Sequence, residues 1–474
     1  MLSILLGLAL LPGGSDSSGA NDSLAPDADL GTTVVHTDSS SDLPTLESAP
    51  TFPRRAAFAS LGVVGSNIAL AGWNRHVTKA DYGYIDWGTV RSNLTHEWVW
   101  DDDNFQVNQI GHPVQGSVYY SMARANGFSY LGGLLWTTVG SVQWEYFMET
   151  EPPAINDLVT TSMGGAMLGE MTWQLAEDVS GESDGTSVGW PRRSLAFLLN
   201  PVHGMDRMIN GVPRKKSPAK RRSGLEGLMI VNGRSLGKRF VRTKGDLPAS
   251  APEATIPFAT TSLHLVHGDP FESKAPFEHF TLSVGLSVLS RPVSNVDVRA
   301  QLWRLPEMET EHTRHSFHFA QNFDYIDGGL YRLAASSLGA EWLGKAELGR
   351  DWILAVHVQP AAILLGAAST DYYVNVERDY NFGSGPGWKT GFLLGRAGTG
   401  SLSAFSDRYW IRTRSGADGT EVIDIYSVEI VKDIWNGFGI GLSWHGYDRD
   451  GRYSEFPDVH VSNQELRVLA TYTL

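Results

Sequence analysis

The chain has 474 residues, a formal net charge of −14 and no cysteine, with 19% charged residues, 11% aromatic residues and 51 glycines. That balance excludes nucleic acid as a partner, because phosphate contacts need a basic stripe. It also excludes disulfides and thiolate ligands, and a cysteine-free chain is common among exported bacterial proteins.

Residues 2–11 (LSILLGLALL) form an apolar run, followed by Pro12, Gly13, Gly14 and the small-x-small pattern Ser18-Gly19-Ala20. They predict a secretory signal peptide over residues 1–20, although the charged n-region is missing. No cysteine follows the run, so lipoprotein anchoring at that point is excluded. Residues 21–52 are rich in Ser, Asp, Thr and Pro without periodicity, and predict a disordered periplasmic linker.

Residues 53–210 predict a helical domain. Ala56 to Trp73 carries no charge and is long enough to cross a bilayer. Its Gly, Ser and Asn content makes it a poor membrane stop, so it is read as a packed helix. Pro113 opens a helix that ends before Gly127. Ser129 caps the next, to about Phe147, and Pro152-Pro153 introduces another from about Asn156 to Glu177. Glycines inside these helices each cost about 1 kcal/mol against alanine. Gly165-x-x-x-Gly169 is a close-contact spacing, so the helices should pack on each other or on an apolar wall. Residues 178–190 read as a loop and 191–210 as a short amphipathic helical pair. The basic run Arg214, Lys215, Lys216, Lys220, Arg221, Arg222 reads as a solvated loop, or as a contact with anionic lipid head groups.

Residues 211–474 alternate like two-faced strands. Phe280, Leu282, Val284, Leu286 and Val288 point one way, and His279, Thr281, Ser283, Gly285 and Ser287 the other. Val296, Val298, Ala300 and Leu302 repeat the pattern, as do Phe317, Phe319, Phe323 and Tyr325, then Phe438, Ile440, Leu442 and Trp444, and finally Leu466 to Leu474. Small residues and full charges share the polar faces, which suits a wet interior and a lipid-facing exterior. A soluble sandwich would show the same period with its faces reversed. Turn clusters such as Asp327-Gly328-Gly329 and Asp448-Arg449-Asp450-Gly451 divide the segment into about 12–14 strands of about ten residues, enough to close a mid-sized antiparallel barrel.

Within 90–345, His112-Pro113-Val114-Gln115-Gly116-Ser117, Trp144-Glu145-Tyr146-Phe147, Pro152-Pro153-Ala154-Ile155-Asn156-Asp157-Leu158 and Gly164-Gly165 with Gly169-Glu170 resemble a domain-of-unknown-function family of Gram-negative outer-membrane proteins. Asn200-Pro201-Val202-His203-Gly204, Asn322-Phe323-Asp324-Tyr325 and Ser336-Ser337-x-Gly339 extend the resemblance. It implies a helical half attached to a C-terminal barrel, and lends no activity.

The candidate chemistry lies in the helices. Antiparallel helices with short loops bring His112, Glu145, Asn156 and Asp157 to one end of the bundle. An imidazole with two carboxylates in a partly apolar setting can perform general acid–base hydrolysis or hold a divalent metal. The structural alternative, which we favour, has Asn156 or Asp157 capping its helix, His112 fixing a turn, and Glu145 paired with Arg124 or a backbone amide. Asp101-Asp102-Asp103-Asn104 offers oxygen ligands but lacks the glycine and distal glutamate of a calcium loop. His312 and His318 share a strand face that His315 does not, and no nucleophile elbow, phosphate loop or cofactor motif is present. The expectation is therefore a membrane β-barrel in the bacterial outer membrane, preceded by an α-helical domain on the periplasmic side that caps or enters the barrel mouth. It would be a structural protein or a plugged or gated pore. Its partners would be outer-membrane lipid and lipopolysaccharide, with no cofactor and an unidentified periplasmic partner. The alternative is a lipid- or glycan-processing enzyme using His112, Glu145 and Asp157.

Overall fold

Each long strand pairs antiparallel with the next, and the last pairs with the first, so the sheet closes on itself. The computed structural model describes residues 51–181, 188–211, 225–235, 240–244, 259–287, 293–306, 308–327, 331–373 and 378–473. The expectations for the signal peptide, for the linker up to residue 50, for the basic run and for the faces of Val288 and Leu474 lie outside these residues.

The helices are α1 (Phe52–Trp73), α2 (Trp87–Thr95), α3 (His112–Ala125), α4 (Tyr130–Phe147), α5 (Ile155–Val159), α6 (Gly165–Val179), α7 (Trp190–Leu199) and α8 (Pro201–Asn210). The strands are β1 (Leu225–Ser235), β2 (Phe240–Lys244), β3 (Ala259–His267), β4 (Phe280–Ser287), β5 (Val293–Arg304), β6 (Met308–Glu309), β7 (Thr313–Asp327), β8 (Arg332–Glu347), β9 (Ile353–Ser369), β10 (Tyr380–Arg396), β11 (Gly400–Ser415), β12 (Gly419–Trp435), β13 (Phe438–Tyr453) and β14 (Val459–Thr473). Twelve of them close the wall. β2 continues the path of β1 beside β14, and β6 only lengthens the hairpin into β7. The expected range of strand number thus resolves to its lower end. The rim where β1 starts and β14 ends is called the entry rim, and the opposite one the far rim.

The alternation sorts the faces as expected. Lys389 on β10 reaches Asp297 on β5 and Asp324 on β7, and Arg299 on β5 reaches His357 on β9. Strands that are not neighbours can meet only through the lumen, so these side chains point inward. Their sequence neighbours point outward. On β12 to β14 that outward face is bare: Ile430, Ile440, Leu442 and Val468 are exposed.

On β3 to β5, and at the far-rim ends of β7 to β10, part of the outward face is covered, while Phe319, Val358 and Trp388 stay exposed. Val298, Ala300 and Leu302 of β5, with Phe280 of β4 and Leu265 of β3, pack against Tyr120, Tyr130, Ala166 and Met171 of α3, α4 and α6. Tyr325, Leu365, Ala367 and Phe382 pack against Phe105, with Ile110 and Val159 alongside. The helical half therefore lies along the outside of the wall, where a mouth-capping or lumen-filling domain was expected. The alternation reports which side chains point outward and carries no information about what meets them.

The helices come together through small residues. A Cβ on Gly116 of α3 would sit 2.0 Å from the Thr161 carbonyl, and one on Gly165 would sit 2.5 Å from the Gly116 Cα. Only glycine permits backbones that close. The expected helix from Asn156 to Glu177 is one path broken by a π-helical turn at Thr160–Gly164, which separates α5 from α6. α2 has no sequence counterpart above, and it starts at a capping box in which Asp86 accepts from the Thr89 amide.

Candidate functional site

The sharpest cluster of polar groups lies at the far rim, where the helical half meets the ends of β7, β9 and β10. The strands that end there have 15 to 17 residues, longer than the nine to eleven or so that a bilayer requires. An isolated bridge between Val99 and Ala154 sets the residues after Val99 beside α5. Arg378, fully buried, donates to the Asp101 carbonyl at 2.9 Å and to Ser415 at 2.8 Å, tying that segment to the barrel.

His112 is the first residue of α3. Its Nε2 lies 3.2 Å from Asp157 Oδ1, and its Nδ1 lies 3.2 Å from the Thr161 hydroxyl. Asn156 orders the neighbourhood: its amide donates to Asp157 at 2.7 Å and to Asn108 at 3.0 Å, while its oxygen accepts from the Asp101 amide at 3.0 Å. Asn108 donates to the Tyr380 hydroxyl at 2.8 Å, so the barrel takes part in the network. One donor atom each from Asp101, His112 and Asp157 lie within 4.8 Å of one another.

Burial decides the charge state here. It lowers the His112 pKa to about 4, and it pushes the Asp157 carboxyl well above its ordinary range, with the Asp101 carboxylate adding to the rise. The imidazole is therefore neutral, with its Nε2 presented to the Asp157 carboxyl and its Nδ1 held by Thr161. That arrangement can exchange a proton between His112 and Asp157. Asp101, His112 and Asp157 together supply three donors of the type a divalent cation takes, and the Thr161 contact orients the ring as outer-shell partners of metal-binding histidines do.

The structure thus brings His112 and Asp157 together and puts Asp101 beside them. Glu145 stands apart from that trio: its Oε2 accepts the Ala154 amide at 2.8 Å, the backbone-amide role weighed above. Arg124 pairs with Glu170 at 2.7 Å rather than with Glu145. Neither Asn156 nor Asp157 caps α5, whose cap position is Ala154 and carries no side-chain hydrogen bond. Asp101 was visible only as part of an acidic run, because its placement depends on the long-range bridge at Val99.

The lumen holds a second set of polar groups. Lys389 Nζ lies 2.6 Å from Asp324, 3.2 Å from Asp407 and 3.0 Å from the Tyr409 hydroxyl. Toward the entry rim, Glu341 joins Arg299 at 3.0 Å, His357 at 2.7 Å and His318. Toward the far rim, Leu333, Ile363, Ile411, Ile423 and Tyr447 form an apolar layer, and Arg449 joins Glu421 at 3.0 Å and Asp371 at 3.2 Å. A cavity of about 260 Å³ remains between β1, β3 to β5 and β11 to β14, lined by Ser262, His264, Asp297, Ser427, Glu429, His445 and Arg467 among others. Charged residues at inward-facing strand positions, such as Asp297, Arg299, Asp324 and the lone Lys389 between Trp388 and Leu394, are the sequence signal that could have found the lumen cluster.

Residues 97–202 match a domain of unknown function, DUF3943. The match holds Asp101, Asn108, His112, Asn156, Asp157 and Thr161 of the rim cluster and ends before β1, so it covers the helical part of the stretch over which the resemblance was drawn. No curated protein matches the chain. Among solved structures, the chain is similar to the NanC porin, at 9% identity and a TM-score of 0.29, over 52% of this chain and all of that one. It is similar also to the outer membrane channel DcaP of Acinetobacter baumannii, at 7% identity and 0.26, over 54% and 99%. The toluene transporter TodX of Pseudomonas putida gives 10% identity and 0.23, over 52% and 89%. With scores this low, the barrel rests on this chain's own strand pairing.

Proposed function

We propose that this protein is an outer-membrane β-barrel of the bacterial envelope whose lumen is closed by its own side chains, a structural protein or a gated pore. One observation carries the reading: the lysine of β10 bridges carboxylates of β5, β7 and β11 across the lumen. Such a bridge ties distant parts of the wall together and obstructs the path between the rims. The outward face, apolar where the helices leave it bare, fits acyl chains, and the lipid and lipopolysaccharide of an outer membrane are the partners it would meet. Cell fractionation tests the location. The full chain is expected to travel with outer-membrane markers and to migrate faster on a gel before heating than after. Recovery in the soluble periplasm would contradict the proposal.

The rim cluster favours a second reading, a lipid- or glycan-processing enzyme in which His112 and Asp157 exchange a proton. Its test is separate. Asp157→Asn keeps the shape of the carboxyl and removes its proton chemistry, so an enzyme would lose activity while its folded amount stays normal.

A further inference from the structure

We propose that the helical half is itself immersed in the membrane, with the outward faces of α1 and α4 in contact with the same acyl chains that surround the bare arc of β12 to β14. The inference rests on the barrel reading above and extends it to the helices.

Position is the first argument. α4 begins at Tyr130, which touches Phe277 in the connection between β3 and β4 at the entry rim, and ends near Glu145, beside the cluster at the far rim. At 1.5 Å per residue its 18 residues span about 27 Å, close to the thickness of a hydrocarbon core. Helices that cover the outside of a membrane-spanning wall stand where lipid would otherwise be.

The polarity of the bundle is the second. Phe58, Leu61 and Ile68 of α1, with Leu131, Leu135 and Val139 of α4, are exposed. Ala56 to Trp73 and Gly127 to Trp144 carry no charge. The polar groups are inside: Asn67 donates to the Gly140 carbonyl and to Gln143, and Arg124 is locked to Glu170. A helical bundle in water shows the reverse order, and one in lipid turns its ionisable groups inward and pairs them. Only 17% of the most apolar window of the Phe52–Thr78 helical segment is buried, whereas the core helix of a water-soluble domain would be mostly buried. The third argument is continuity on the wall itself, since Leu265 of β3 packs against the helices while Leu263, on the same outward face, is exposed, so that covered and bare apolar wall adjoin.

The chain has no cysteine, so single cysteines report without background. Leu61→Cys and Leu135→Cys probe the helices, Leu442→Cys the bare wall and Glu455→Cys the exposed connection between β13 and β14. Each full-length variant is labelled with bimane and reconstituted into phosphatidylcholine vesicles with plain or brominated acyl chains. Only variants that keep heat-modifiable migration are read, with Ile68→Cys and Val139→Cys as replacements. Bromination is expected to quench positions 61 and 135 to the same degree as 442, and to leave 455 unchanged. Quenching at 442 with none at 61 and 135 would overturn the inference and leave the barrel intact, and it is the result that a second copy covering the helices would give. No quenching at 442 would overturn the barrel reading, and the inference with it.

Discussion

Gln321, on the outward face of β7, donates its side-chain amide to the carbonyl of Met163 at 3.0 Å and accepts the hydroxyl of Tyr130. A polar side chain facing outward from the wall is thereby satisfied by two helical segments at once, and the barrel and its helices behave as one body. Gln321→Leu leaves a buried hydroxyl without its partner, which costs about 1–3 kcal/mol. Urea unfolding in vesicles is expected to show an earlier midpoint, with the helices becoming protease-sensitive before the barrel unfolds. An unchanged midpoint would show that the helices are not fastened at this point.

The pair Arg124 and Glu170 holds α3 to α6, and Tyr120 and Gln174 add hydrogen bonds to Glu170 at 2.6 and 2.8 Å. Removing one partner strands a buried charge, so Arg124→Met or Glu170→Met is expected to destabilise by about 3–5 kcal/mol. The double replacement is expected to recover much of that loss, because it removes both charges. Additive losses would contradict a coupled buried pair.

Gly116 and Gly65 give a matched contrast. A Cβ at Gly116 meets the Thr161 carbonyl at 2.0 Å, and one at Gly65 on α1 meets nothing within 4 Å. Gly116→Ala is expected to cost about 1–3 kcal/mol through overpacking, whereas Gly65→Ala is expected to be neutral or stabilising by up to about 1 kcal/mol. Equal effects on the unfolding midpoint would mean that α3 and α6 do not approach as closely as they do here.

Much of this was legible in the sequence, and the limits are physical. β13 could be read directly because Phe438, Ile440, Leu442 and Trp444 alternate with small or polar residues, and a two-sided environment leaves that mark on any strand. The helices were bounded by Pro113, Gly127 and Ser129, whose backbone and capping preferences are local. The place of the helices was not legible. Val298, covered by the bundle, and Leu442, which is 47% exposed, occupy the same kind of outward position, so alternation cannot tell a wall under helices from a wall under lipid. At the rim, the convergence of His112 with Asp157 follows from short connections between antiparallel helices. Asp101 joins them through a contact between distant parts of the chain, and local pattern does not encode that.

The rim cluster makes a prediction about pH. His112 has a pKa of about 4 in the fold against 6.5 for the free side chain. Between those values the unfolded chain binds a proton that the folded chain refuses, so the contribution of His112 to stability falls as the pH drops from 6.5 toward 4, while the Asp157 carboxyl, raised in the fold, contributes with the opposite sign. His112→Gln is expected to remove the His112 component of the profile, read as the difference from the wild-type protein, and to lower stability at pH 7 by about 1–3 kcal/mol through the lost contacts to Thr161 and Asp157. Asp157→Asn resembles the protonated carboxyl that burial favours and is expected to cost less than His112→Gln. If these residues are structural, envelope phenotypes follow the amount of folded protein. A full amount of folded, inactive Asp157→Asn protein would move the enzyme reading to first place.

The closed lumen is tested most directly by recording single channels in planar bilayers. With Lys389 bridging Asp324 and Asp407, and Glu341 holding Arg299, His318 and His357, the wild-type barrel is expected to stay silent at moderate voltage. Lys389→Ala leaves the carboxylates of Asp297, Asp324 and Asp407 facing one another without their shared cation. Combined with Glu341→Ala, it is expected to produce discrete conductance steps. A steady ohmic conductance in the wild-type protein, unchanged by the two substitutions, would contradict a lumen closed by these side chains.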